Sequence, residues 1–122
     1  MKQFNLSKGT QGETIAADYL VKNGFKIIEK NFRTKWGEID LIASKEGKLI
    51  FVEVKLKVGD RFGSPEEMIG YAKLRQVKRA AQLYLLTKKE IAAKYEMYRI
   101  DAVCIVMNTS GDIERISHYE NI

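Results

Sequence analysis

The segment Leu49-Ile50-Phe51-Val52-Glu53-Val54-Lys55-Leu56 constrains this chain more than any other. Its β-branched and aromatic content is that of a central strand, with Ile50, Val52, Val54 and Leu56 on one face. Alternation places Glu53 and Lys55 together on the other face. Charges at the middle of a sheet are costly unless they pair with one another or hold an ion. Any fold built on this strand must therefore bring partners to Glu53.

The preceding segment repeats the anomaly. Glu38 to Ala43 reads as a strand in which Asp40 sits between Ile39 and Leu41 and shares a face with Glu38. Lys45-Glu46-Gly47-Lys48 is a turn by composition, so the two strands form an antiparallel hairpin in which Asp40 and Glu53 converge. Neighbouring carboxylates repel, and a divalent cation relieves the repulsion. An all-oxygen donor set favours Mg²⁺ or Mn²⁺. Lys55 alongside is a compact cation suited to orient a water and offset charge developing on a phosphate. Asp40, then a dozen residues, then Glu53-x-Lys55 has the layout of a phosphodiesterase core.

The other elements follow from periodicity and punctuation. Ser7 to Asn23 is a helix with Ile15, Ala16, Tyr19 and Leu20 at helical spacing, ended by Asn23-Gly24. Phe25, Ile27 and Ile28 make a short strand, and Asn31 to Gly37, with Arg33, Lys35 and Trp36, is a loop or hairpin. Gly59 to Gly63, with Asp60 and Arg61, is a loop, and Ser64-Pro65-Glu66-Glu67 is a capping box that Gly70-Tyr71 can interrupt. A stronger helix runs from Ala72 to Thr87, burying Leu74, Val77, Ala81, Tyr84 and Leu85 and turning Arg75, Lys78, Arg79 and Gln82 outward. Tyr98 to Met107 is a strand, Asn108 to Asp112 a turn, and Ile113 to Tyr119 a last strand. The expectation is an α/β fold, a mixed central sheet flanked by helices in the order α-β-β-β-α-β, forming a single domain over residues 1–122.

Composition narrows the chemistry. Cys104 and His118 are the only residues of their kinds, which excludes intramolecular disulfides, thiolate or histidine-rich zinc sites and CxxC redox chemistry. The formal charge of +5 points weakly to a polyanionic partner. No apolar run approaches membrane-spanning length and the start lacks a signal-peptide core, so a cytoplasmic protein without a membrane partner is expected.

The motifs then carry a resemblance. Asp40-x12-Glu53-Val54-Lys55 resembles the PD-(D/E)xK signature of restriction-endonuclease-like nucleases, with Ile39 in place of the proline that names it. Gly12-Glu13-x-x-Ala16, Asn31-x-Arg33, Gly37-Glu38-Ile39-Asp40-Leu41-Ile42 and Phe51-Val52-Glu53-Val54-Lys55 together resemble the bacterial YraN-like family, related to archaeal Holliday-junction resolvases and RecB-type nuclease domains. Lys73, Ala81-x-x-Tyr84-Leu85 and Arg99-Ile100-Asp101 extend the similarity, which runs from Gly9 to Val106. The resemblance implies a restriction-endonuclease-like fold and a Mg²⁺- or Mn²⁺-dependent nuclease. Asp40, Glu53 and the Val54 carbonyl would hold the metal, Lys55 would position the water, and Glu13 would serve a second metal or the outer shell. It also leaves a homodimer open, as junction resolvases form.

Each candidate has a plainer reading. Glu13 also fits a capping box with Thr10, although Gly9 and Gly12 in the same helix suggest close approach of something bulky. Glu38 is either an outer ligand or a solvated residue at a strand start, and Asp101 reads as a buried partner of Arg99 and of a lysine from the second helix. Lys73, Arg75, Lys78 and Arg79 form a basic helical face that is either solvated or, with Arg33, Lys35, Lys57 and Arg61, a phosphate-contacting surface. Trp36 either stacks on a splayed base or packs on the hairpin, Cys104 belongs to the core, and His118 is incidental. The leading expectation is a nuclease acting on branched or processed DNA, since no segment is spare for reading sequence. The alternative is a non-catalytic nucleic-acid-binding or adaptor protein that keeps the fold.

Overall fold

The strand carrying Glu53 lies at the centre of a five-stranded mixed sheet, in a computed structural model that describes residues 7–59, 61 and 63–122. Helix α1 (Lys8–Lys22) precedes β1 (Lys26–Thr34), β2 (Gly37–Lys45) and β3 (Lys48–Val58). A 3₁₀ turn (Pro65–Met68), α2 (Tyr71–Thr87) and the short α3 (Lys89–Ala92) lead to β4 (Met97–Met107) and β5 (Ile113–Tyr119). The strands lie side by side in chain order. Only the β3–β4 pair is parallel, because α2 carries the chain back across the sheet between them; the other pairs are antiparallel. The mixed sheet with flanking helices matches the expected architecture.

Each helix covers one face. Ala16, Ala17 and Leu20 of α1 pack on Leu41, Ala43, Ile50, Val52, Val103 and Ile105. Ala80, Ala81 and Tyr84 of α2 pack on Ile39, Ile42, Leu49 and Phe51. The two faces of β3 are therefore both buried, which is why its sequence is almost continuously apolar.

Local differences from expectation have simple causes. β1 is longer than its apolar residues suggested and continues to Thr34, because the polar Asn31–Thr34 stretch pairs with Gly37–Ile39 as a hairpin arm. The capping box at Ser64 and Glu67 is present, but it opens only the 3₁₀ turn, and α2 starts afresh after Gly70. Gly12 is the close approach anticipated in the first helix: a Cβ there would lie 3.3 Å from the Leu56 Cβ and the Val54 Cγ1, so α1 rests directly on β3. Among the described residues a Cβ at Gly9 would meet only the Ser7 Oγ, at 3.9 Å. Asp60 lies outside the described residues.

Candidate functional site

The hairpin ladder between β2 and β3 runs from Lys45–Lys48 to Leu41–Val52 and stops there. The residues next in register are Asp40 and Glu53. Beyond the fork the Val54 N–H has lost its strand partner, and the Asp40 Oδ2 accepts its hydrogen bond at 2.8 Å. The Asp40 carboxylate thus takes the place of a strand partner where the fork opens, beside Glu53.

Glu53 lies just inside this fork and is 1% exposed. Neither of its carboxylate oxygens has a hydrogen-bond partner among the described residues. The Lys73 Nζ stands 3.4 Å and the Lys55 Nζ 3.7 Å from its Oε2, at ion-pair range without hydrogen-bond geometry. Burial, then repulsion from Asp40 and a proton shared with its carboxylate, pushes the Glu53 carboxyl up to about 8, against the pull of the two lysines.

Glu13 arrives from α1. The helix is capped by Ser7, whose side chain accepts from the Thr10 N–H, so Glu13 has no capping duty. One carboxylate oxygen each of Glu13, Glu38 and Asp40 lies within 4.8 Å of the others. Glu13 has its pKa raised by burial and by Asp40 and Glu38, opposed by a hydrogen bond from the Asn31 side chain. Glu38, left open by the sequence, therefore belongs with this group, and Arg33 stands 3.8 Å from it.

Asn31 was not foreseen as a site residue. It has φ 55 and lies between the Lys30–Leu41 and Phe32–Ile39 pairs, opposite the Asp40 position. Left-handed backbone inside a strand is uncommon for a side chain other than Gly, Asn or Asp. Here β2 loses its alternation: Ile39 and Leu41 would share a face of a regular strand, yet Leu41 packs toward α1 and Ile39 toward α2. Asp40 sits at this rotation and so meets both Glu13 from α1 and Glu53 on β3. The available signal was an asparagine, tolerant of that backbone, in the Asn31-x-Arg33 motif.

The basic residues do not form one face. Lys73 and Arg75 are two positions apart, about 200° around a helix, and Lys73 turns inward to Glu53. Arg75 and Arg79 line a groove of about 370 Å³ with Lys35, Trp36, Ala72 and Gln76. Lys78 lines a separate groove with Phe51, Gln82 and Tyr98. Arg33 stays with Glu38, Lys57 is half-buried near the end of β3, and Arg61 is exposed in the following loop.

Asp101 and His118 correct two expectations. Asp101 is fully buried and accepts from Arg99 through both oxygens, at 2.8 and 2.9 Å, and from the Asn121 N–H, at 3.0 Å. Its further partner is the His118 Nε2 at 2.8 Å, not a lysine of the second helix, because the inward lysine goes to Glu53. His118 is not incidental, for its ring also packs against Tyr19 and Phe25. Burial works to raise the Asp101 pKa, but His118, Arg99 and Asn121 overcome it and hold it low. Cys104 is a core residue as expected, its thiol pushed up to about 11 by burial.

The donor set fits a hard divalent cation. It is entirely oxygen: one carboxylate oxygen each of Glu13 from α1 and of Glu38 and Asp40 from β2 lie within 4.8 Å of one another, whereas Glu53 on β3 stands beside Asp40 outside that group, its buried oxygens accepting from no described donor. No described helix is long and apolar enough to cross a membrane. The model of Uncharacterised protein family UPF0102 matches residues 12–105, a span holding Glu13, Asn31, Asp40, Glu53, Lys55 and Lys73. A UPF0102 protein of Clostridium botulinum is 43% identical over 109 residues, covering 89% of this chain and 87% of the relative. One from Persephonella marina is 43% identical, covering 86% and 88%, and one from Thermodesulfovibrio yellowstonii is 38% identical, covering 93% and 92%. On this similarity, which spans the whole fork and both helices that supply it, the chain belongs to the UPF0102 family.

Proposed function

We propose that this protein is a metal-dependent nuclease that hydrolyses DNA phosphodiester bonds, preferring branched or processed DNA, and that its fork is a PD-(D/E)xK site of the restriction-endonuclease-like kind. The observation that carries the reading is Glu53: a buried acid that accepts no hydrogen bond from any described donor, set against Asp40 and two lysines. Left as a purely structural group it would be a standing penalty of several kcal/mol. Asp40, Glu53 and the Val54 carbonyl would hold Mg²⁺ or Mn²⁺, with Glu13 and Glu38 serving a second ion or its hydration shell. Such an ion, when bound, supplies Lewis-acid polarisation of the phosphate and an acidified water.

The protein's own groups do the rest. Asp40 fixes the fork through the Val54 N–H, so the ligand oxygens are preorganised. Lys55, one quarter exposed, lies where it can hold the attacking water and neutralise charge growing on the phosphate. Lys73 adds a second cation from α2, and the Asn31 side chain favours the charged form of Glu13. The water oxygen bonds to phosphorus as one ester P–O bond breaks, and the departing oxygen takes up a proton.

A second reading, a non-catalytic nucleic-acid-binding or adaptor protein, draws on the same two lysines as internal counter-charges for Glu53. Purified protein incubated with supercoiled, single-stranded and branched DNA in Mn²⁺ or Mg²⁺ separates the two. Cleavage that disappears with EDTA and in Asp40→Asn or Lys55→Ala supports the nuclease. Cleavage that survives those substitutions is contamination, and salt-sensitive binding without cleavage assigns the adaptor.

A further inference from the structure

The hairpin tip between β1 and β2 lies on the N-terminal half of α2, and a glycine allows it. Gly37 has φ +151, and a Cβ there would sit 3.3 Å from the Gln76 Cβ. This contact builds the groove lined by Lys35, Trp36, Ala72, Arg75, Gln76 and Arg79. Trp36 is 43% exposed although it is the largest apolar side chain in the molecule. The Arg79 guanidinium carbon stands 4.8 Å and the Lys35 Nζ 5.1 Å from its ring centroid. Tyr71, 79% exposed, carries Arg75 at 5.8 Å from its ring. Among the described residues no carboxylate lines this groove.

We infer that this groove is a stacking platform for an unpaired nucleotide strand, which it delivers to the fork. Exposed aromatic rings interleaved with arginine and lysine match what a single strand offers: bases with π-faces and phosphates between them. Duplex DNA keeps its bases stacked and offers the groove phosphates alone. The cations now resting on the rings are exposed side chains on flexible stems, free to turn to phosphate as bases take their place.

Position decides where the strand leads. On the helix wall Arg79, Gln76 and Lys73 are neighbours at successive turns, and Lys73 reaches Glu53. The helix wall of the groove thus runs toward the candidate active site. The inference rests on the nuclease reading only for what the strand is delivered to, and it names the substrate feature: an unpaired stretch beside the bond to be cut.

Trp36 is the only tryptophan in the chain, so its fluorescence reports the groove directly. The experiment is a titration of the full chain in EDTA, where cleavage is off, with a short oligothymidylate. Matched arms use oligouridylate, a duplex of equal length and polyglutamate. Quenching of Trp36 by the oligothymidylate, with little quenching by duplex, is the expected result. Anisotropy of a labelled strand should show Trp36→Ala weakening binding roughly tenfold to a hundredfold, Trp36→Phe restoring most of it, and Arg79→Ala weakening it as well. Preference for oligouridylate would keep the platform and assign it to RNA. Equal quenching by duplex or polyglutamate would overturn the inference in favour of a plain anion site, as would strand binding that leaves Trp36 fluorescence unchanged. Binding with no cleavage under any metal would defeat the nuclease reading alone, whereas cleavage indifferent to Trp36 and to unpaired ends would defeat the platform alone.

Discussion

Two buried carboxylates lie on adjacent strands of the same sheet and are treated in opposite ways. Asp101 on β4 pairs in register with Val52, one residue before Glu53 on β3, and both acids are essentially sealed from water. Asp101 is surrounded by donors: Arg99, His118 and the Asn121 N–H. Glu53 has ion-pair neighbours and a proton shared with Asp40, but it accepts no hydrogen bond from any described donor. The first carboxyl is held below its ordinary range and the second is pushed up to about 8. The fold can satisfy a buried acid fully, so the deprivation of Glu53 is a feature of its place in the fork rather than a limit of the architecture. Asp101 ties β4 to β5 and to Asn121, whereas on the nuclease reading Glu53 would take a metal ion as its further partner.

The comparison can be broken or sharpened in several ways. The largest effect is on activity: Glu53→Gln and Asp40→Asn should each lower metal-dependent DNA cleavage on the order of 10³-fold or more, read as initial rates on a branched substrate. Asp101 should behave as the structural member. Asp101→Asn removes the charge that Arg99 pairs with and should cost about 3–5 kcal/mol in urea unfolding, while the folded fraction still cuts. Loss of activity with full stability in that variant would dissolve the contrast.

Metal-free stability gives the next effect, and its sign is fixed by the protonation of Glu53. In the fold the carboxyl keeps its proton up to about 8, whereas the unfolded chain releases it near 4.5. Between those values the folded state binds more protons, so the stability linked to this group is greatest at acid pH and is lost as pH rises through that window. Glu53→Gln should abolish that loss and raise the melting temperature of metal-free protein at pH 8 by several degrees, an effect on the order of 2 kcal/mol. Melting curves at pH 5 and pH 8 for both proteins check it, and a lower melting temperature for Glu53→Gln at pH 8 would contradict it. The smallest effect concerns Asn31. Asn31→Gly keeps the left-handed backbone and removes the bond to Glu13, so stability should change by less than about 1 kcal/mol while cleavage falls. Asn31→Ala should add roughly 1–2 kcal/mol of destabilisation from the strained backbone.

Much of this was legible in the residues, and the limits have physical reasons. Alternation along Leu49–Leu56 reveals Glu53 and Lys55 as charges on a sheet centre, and a short turn suffices to set Asp40 opposite Glu53. What periodicity cannot supply is where a regular strand stops being regular. The rotation of β2 at Asp40 lies opposite the left-handed Asn31 of the facing strand, and it lets one aspartate meet residues from both sheet faces. His118 escaped notice because its value lies in Asp101, seventeen positions earlier and met only through β4–β5 pairing. Lys73 shares its charge with Arg75, although the helical repeat already sets the two about half a turn apart.

The most direct test of the central claim is a calorimetric titration of Mn²⁺ into the protein at neutral pH, alongside Glu53→Gln and Asp101→Asn. The account predicts saturable binding with release of the proton held by Glu53, abolished in Glu53→Gln and preserved in folded Asp101→Asn. Absence of binding, or binding that Glu53→Gln leaves intact, would contradict it.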